Sequence, residues 1–170
     1  MLNYTISFNL TLYLSKEKYF VPWSIADQVL GFVKNILTTE YKDDFRSYIK
    51  FLTKQQFERL KWDDIGDDNK KLLRQIIIEL ACFNDNKECL EGASEQFDKW
   101  KNGQKFKSNL KQLVLKYGIR QNKDTHENWD FVLKKCNESN SNNEKLAYLN
   151  VLANTKNQTL IKRLVLNLFS

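Results

Sequence analysis

The stretch from Asp68 to Trp100 constrains this chain most. It reads DNKKLLRQIIIELACFNDNKECLEGASEQFDKW. Leu72, Leu73, Ile76, Ile77, Leu80 and Ala81 recur at spacings of three and four, which lays one broad apolar face along a helix. Ile78 falls off that face, so the helix is expected to be covered on more than one side. Asn84-Asp85-Asn86 interrupts the pattern, and Asp85 with Glu88 resembles an acidic capping box for a second helix. The inner face of that helix is expected to carry Leu90, Ala93, Phe97 and Trp100. Two antiparallel helices joined by a short turn, with Cys82 and Cys89 at its lips, are the unit around which the rest is read.

Pro occurs once and Gly five times in 170 residues. An all-β chain needs many tight turns, so this scarcity favours helices. A helix is expected over Tyr4–Lys16, with Ile6, Leu10, Tyr13 and Leu14 inward. Val21-Pro22-Trp23 marks a second start, since proline costs nothing in a first turn. That helix is expected to reach Thr38, with Ala26, Val29, Leu30, Val33 and Leu37 inside. Another covers Tyr41–Leu60 on Phe45, Tyr48, Ile49, Leu52, Phe57 and Leu60. Ser108 is expected to cap a helix to Arg120 with Leu110, Leu113, Val114 and Tyr117 inward. His126–Asn137 is helical around Trp129, Phe131, Val132 and Leu133. Ser141 with Glu144, and Thr155 with Gln158, show capping-box spacing for two more. Their inner positions are Leu146, Leu149 and Leu152, then Leu160, Ile161, Leu164, Val165 and Leu168. About nine helices with short links make stacked antiparallel pairs. The expected fold is all-α, one domain over 1–170, as an irregular α-solenoid of the HEAT or armadillo kind.

The formal charge is +6. Its lysines and arginines are scattered among acids, and the densest run, Lys99 to Lys111, lacks the aromatics of an RNA-binding strand. It reads as a solvated turn, and no nucleic-acid partner is expected. No apolar run approaches the ~20 residues of a membrane span. The first residues lack a basic lead and a small-residue cleavage site, so the chain carries no targeting address of its own.

Catalytic and metal motifs are missing. The chain has one histidine, His126, where an H-E-x-x-H zinc helix needs two and a three-ligand site needs a cluster. No G-x-S-x-G elbow or phosphate-binding glycine loop occurs. Asp63, Asp64, Asp67 and Asp68 do not match the twelve-residue calcium loop, and read as loop acids or as helix-start acids. Glu79 with Glu88, or Glu91 with Glu95, offer no cleft that spacing alone can show. Cys82 and Cys89 flank a turn, so a bridge between them is feasible and two reduced thiols are the alternative; Cys136 is left over. N-x-[ST] sequons stand at Asn3, Asn9, Asn137 and Asn157, a mild excess consistent with a secreted glycoprotein.

Several segments together carry a resemblance: YLSKEKYFVPW (13–23), 72–100, NLKQLVLKYGIR (109–120), ENWDFVL (127–133) and EKLAYLNVLANTKNQTLIKRLV (144–165). The chain resembles the helical C-terminal domain of the aminopeptidase N family of zinc metallo-aminopeptidases. The family's H-E-x-x-H helix and G-x-M-E-N loop lie in a separate catalytic domain and have no counterpart here. The resemblance therefore implies a non-catalytic segment with no zinc or other cofactor of its own. Its implied partners are the parent's catalytic domain and a peptide substrate, whose chamber it shapes during removal of N-terminal residues. It implies an extracellular or cell-surface setting and a Cys82–Cys89 disulfide. A second bridge common in that branch is not expected, because Lys116 and Asn154 stand near its places. It also implies a central piece, with family helices before Met1 and after Ser170. The alternative is a stand-alone α-solenoid that holds a protein or peptide.

Overall fold

The computed structural model describes residues 11–106, 108–121, 125–155 and 157–168. They form eight α-helices: α1 (Phe20–Ile36), α2 (Lys42–Leu60), α3 (Asp68–Phe83), α4 (Lys87–Lys101), α5 (Lys111–Gln121), α6 (Thr125–Glu138), α7 (Asn142–Ala153) and α8 (Gln158–Leu168). Short 3-10 turns lie at Leu12–Lys16, Thr39–Tyr41 and Ser108–Leu110. Among the described residues there is no strand, and the all-α expectation holds. Residues 4–10 of the first expected helix, and the Ser108 side chain expected as a cap, lie outside the described residues. The remainder of that expected helix is the 3-10 turn Leu12–Lys16, whose Leu14 is buried and whose Tyr13 is exposed.

The chain divides into two compact units, Met1–Cys89 and Leu90–Ser170. In the first, α3 packs against both α1 and α2. That double contact explains why Ile77 and Ile78 are both fully buried although they point to different sides of the helix. Leu72, expected inside, is 43% exposed, while Arg74 is only 2% exposed. Arg74 is buried because it has work at a helix end. Its Nε donates to the Leu60 carbonyl at 3.0 Å and its Nη2 to the Ile65 carbonyl at 3.0 Å. Leu60 is the last residue of α2, so the guanidinium satisfies a carbonyl that has no partner within that helix.

α1 begins at Phe20, with Pro22 in its first turn. The Phe20 amide donates to Asn69 Oδ1 at 2.8 Å, so α3 supplies the cap that Tyr19 cannot. Trp23 is fully buried and donates from Nε1 to the Glu17 carbonyl. Val29, expected inside, is 54% exposed. Asp27 is half-buried, and its carboxyl pKa is raised, first by desolvation and then by Glu79. A raised folded pKa means the ionised form is disfavoured in the fold, so stability is lost as pH rises above the unfolded value. Asp27→Asn is therefore expected to stabilise the chain at pH 7. Chemical denaturation should show that gain disappearing below pH 3.8, the ordinary value.

The second unit is built on the contacts of α5 with α6 and α7, of α6 with α7, and of α7 with α8. Gly118 of α5 lets α4 approach closely within this unit. A Cβ there would lie 2.5 Å from Phe97 Cβ and 2.9 Å from the Ala93 carbonyl. Leu110, Val114 and Tyr117 are buried as expected, and Leu115 and Ile119 join them. Leu146 of α7, expected inside, is 59% exposed, and Tyr148 and Val151 are buried instead. Trp100 sits in an aromatic cluster with Phe97, Phe106, Phe131 and Tyr148, at ring separations of 4.8–6.2 Å. Lys101 ties α4 to α6 through Glu127 and Asn128, and Lys111 ties α5 to α7 through Glu144 at 2.6 Å.

Two of the three expected capping boxes are displaced. Asn86 Oδ1, not Asp85, accepts from the Cys89 amide at the start of α4. Asn157 Oδ1, not Thr155, accepts from Thr159 and Leu160 at the start of α8. At α7 the expected Ser141 does accept from the Glu144 amide, but the Glu144 carboxylate turns away to Lys111 and Ser139.

Candidate functional site

The turn between α3 and α4 is the most constructed surface feature of the first unit. Asp85 has a positive φ of 60°, a conformation that aspartate tolerates better than most side chains. It lets the Asn86 amide reach back to the Ala81 carbonyl at 3.0 Å and the Asp85 amide to the Cys82 carbonyl at 3.2 Å. Asn84 Nδ2 donates to the Leu80 carbonyl at 2.8 Å. The three polar residues that break the helix pattern thus satisfy one helix end and open the next. Across this turn Cys82 and Cys89 are joined in a disulfide, with Cα atoms 5.2 Å apart. Trp62 Nε1 donates to the Cys89 carbonyl at 3.1 Å, which pins the closed turn to the α2–α3 connection.

The residues inside the disulfide loop form one wall of an open groove of about 430 Å³. Asp85, Asn86, Lys87 and Glu88 face Lys50, Phe51, Lys54, Phe57 and Glu58 of α2. Phe57 is buried and Phe51 is 59% exposed. Three lysines and three acids line the groove, so their charges cancel, and the groove suits a segment of mixed charge more than a simple anion. It holds no nucleophile with an adjacent base.

The candidate residues read from the sequence are scattered. His126 is exposed, and its Nε2 lies 3.5 Å from Asn157 Nδ2. Asp67 caps α3 by accepting from the Lys70 amide at 2.9 Å, which is a structural task. Asp64 lies 4.0 Å from Arg74. Glu79 is half-buried on α3, and Glu91 and Glu95 lie outside the groove. Among the described residues, no three His, Cys, Asp or Glu side chains gather to hold a metal ion. Cys136 is a buried free thiol whose pKa is raised by desolvation, the opposite of an activated nucleophile. Of the sequons, Asn137 is exposed, Asn157 is the α8 cap, and Asn3 and Asn9 lie outside the described residues.

A family model described as the ERAP1-like C-terminal domain matches residues 1–170. The chain belongs to the ERAP1-like C-terminal domain family. Among curated relatives, glutamyl aminopeptidase of Bitis rhinoceros is 34% identical over 169 residues, and that of Homo sapiens 34% over 170 residues. Each match covers 96% of this chain and 17% of the relative. Aminopeptidase N of Plutella xylostella is 24% identical over 161 residues, with 92% of this chain and 17% of the relative covered. The chain thus spans about a sixth of the length of these relatives. Among the described residues, no helix of this family member is long and apolar enough to cross a membrane.

Cys82→Ala with Cys89→Ala is expected to cost about 2.5 kcal/mol, the chain-entropy value for so short a loop. Urea denaturation of wild type and double variant under non-reducing conditions measures it. No loss would mean the hydrogen bonds of the turn alone define its shape.

Proposed function

We propose that this chain is the non-catalytic helical portion of an aminopeptidase-type zinc peptidase, and that it shapes the chamber in which peptides lose their N-terminal residues. The observation that carries the reading is the family match along the whole chain, combined with relatives that are aminopeptidases about six times its length. The one histidine in the sequence fits a supporting part, because the zinc chemistry of such an enzyme needs more ligands than this chain offers. The parent's catalytic domain would hold the zinc, and this segment's helix pairs, continued as an irregular solenoid over 1–170, would cover it and meet the distal part of the peptide. The glutamyl aminopeptidase relatives make an acidic N-terminal residue the first substrate to try. We assign the protein to the cell surface or exterior, where the Cys82–Cys89 bridge would persist. Asn3, Asn9, Asn137 and Asn157 are the proposed glycan acceptors. Conjugation at Asn157 Nδ2 would leave Oδ1 free to keep capping α8.

The test has two arms. The isolated 170 residues with added zinc are expected to leave glutamyl and leucyl anilides uncleaved, whereas the full-length product of the gene cleaves them. Zinc-dependent turnover by the isolated chain, or none by the full-length product, overturns the proposal. Mass shifts on treatment with a peptide N-glycosidase report which sequons are used.

A further inference from the structure

Lys101, Glu127 and Asn128 meet inside the second unit, where the end of α4 faces the first turn of α6. Lys101 Nζ donates to Glu127 Oε1 at 2.9 Å and to Asn128 Oδ1 at 2.8 Å. The neighbouring Trp100 fixes the approach of the two helices, with its ring edge-to-face on Phe131 of α6 at 5.0 Å. Asn128 is 1% exposed, and its Nδ2 makes no hydrogen bond within the protein. The Lys101 side chain is 23% exposed and that of Glu127 67%.

A buried asparagine with a purely structural task uses its amide donors. Here the carbonyl half of Asn128 is held and the amino half is left loose. The arrangement is that of an acyl group with a bound nucleophile on one side and an unrestrained leaving group on the other. A lysine amine becomes a nucleophile once it loses a proton, and a carboxylate in hydrogen-bond contact can take that proton. The bond to Oδ1 keeps Nζ beside the carbonyl, and rotation about the last lysine bonds carries it from the edge of Asn128 Cγ onto its face. Holding the two groups together makes the attack intramolecular, which removes most of its entropic cost. Burial of Asn128 hinders water, the competing nucleophile, at the same carbon.

We infer that Lys101 and Asn128 become joined by a side-chain amide bond, with Glu127 as the proton acceptor. Glu127 takes a proton from the Lys101 ammonium, and the freed lone pair on Nζ attacks Asn128 Cγ. The new N–C bond forms, the tetrahedral centre collapses, and the Cγ–Nδ2 bond breaks. Of the three ammonium protons, one stays on the new amide and two pass to Nδ2 by way of Glu127. Nδ2 therefore departs as ammonium, and Glu127 ends ionised as it began. The step consumes no oxidant or co-reactant. The bond would staple α4 to α6 in the second unit, as the disulfide staples α3 to α4 at the α3–α4 turn.

The experiment is peptide mapping of the full-length gene product by tandem mass spectrometry after reduction, alkylation and digestion with trypsin. The wild type is expected to give a branched peptide that contains Lys101 and Asn128, lighter than the two separate segments by one ammonia and uncut after Lys101. Lys101→Arg keeps the positive charge but offers no attacking amine, and should abolish the branched peptide. Glu127→Gln keeps the chain length and changes a mostly exposed side chain. It should lower the linked fraction, sampled at a fixed time after synthesis, at least about tenfold. Far-UV circular dichroism checks that both variants fold, and the wild-type map decides the existence of the bond without them. Recovery of the two wild-type segments only as separate, unmodified peptides overturns the inference. So does conversion of Asn128 to aspartate without a link, which would mean that water reaches Cγ before the amine. An undiminished link in Glu127→Gln overturns the role given to Glu127, and a branched peptide that persists in Lys101→Arg overturns the assignment of the nucleophile.

Discussion

Trp129→Ala is expected to destabilise the chain by about 3–5 kcal/mol, the usual cost of emptying a large buried aromatic site. Trp129 is fully buried in the second unit. Its Nε1 donates to the Leu152 carbonyl at 3.3 Å, close to the end of α7. Arg163 of α8 lies 5.3 Å over its ring and pairs with Asp130 at 2.6 Å. One side chain of α6 thereby touches both following helices, so its removal costs packing, a hydrogen bond and a cation–π contact together. Trp129→Phe keeps most of the volume and loses the Nε1 bond, and should cost about 1–2 kcal/mol. Guanidinium denaturation followed by circular dichroism measures both. Equal, small losses would mean that the second unit is not organised around this ring.

Arg74→Met is expected to cost about 3 kcal/mol, despite the similar length of the two side chains, because the buried Leu60 carbonyl and the part-buried Ile65 carbonyl then lose charge-assisted donors. The loss should fall on the end of α2 and on the 61–67 loop, and hydrogen exchange at those amides would report it. The companion Asp64→Asn is expected to cost much less. Asp64 lies 4.0 Å from Arg74 and its Oδ1 makes no protein hydrogen bond. Comparable losses in the two variants would mean that the ion pair, not the carbonyl contacts, holds the loop.

Both side chains show where reading the sequence succeeds and where it stops. Trp129 is legible as an inward position of its helix, because a large aromatic at helical spacing has few other uses. Arg74 is not, because nothing local distinguishes it from the lysines before it. Its burial depends on the end of α2 arriving from 14 residues away. The capping residues fall between these cases. The composition of Asn84-Asp85-Asn86 marks a helix break correctly, but the choice of Asn86 over Asp85 depends on which backbone takes the positive φ. Gly118 carries no sequence signal either. Its absent side chain matters only because Ala93 and Phe97 approach it.

The groove beside the disulfide is equally hidden. One of its walls is contiguous in sequence, from Asp85 to Glu88, and the other is one side of α2. No spacing rule predicts that those two walls meet.

By itself the sequence determined that the chain is helical and where most helices begin and end, because apolar spacing and chain breakers act within a few residues. It also determined the family, through the order of its segments. The tertiary structure alone decided which other faces of those helices are covered: Arg74 inside, Val29, Phe32 and Leu146 outside. The reason is that burial depends on neighbours distant in sequence, while an apolar side chain reads the same whether its partner is already in place or still to come.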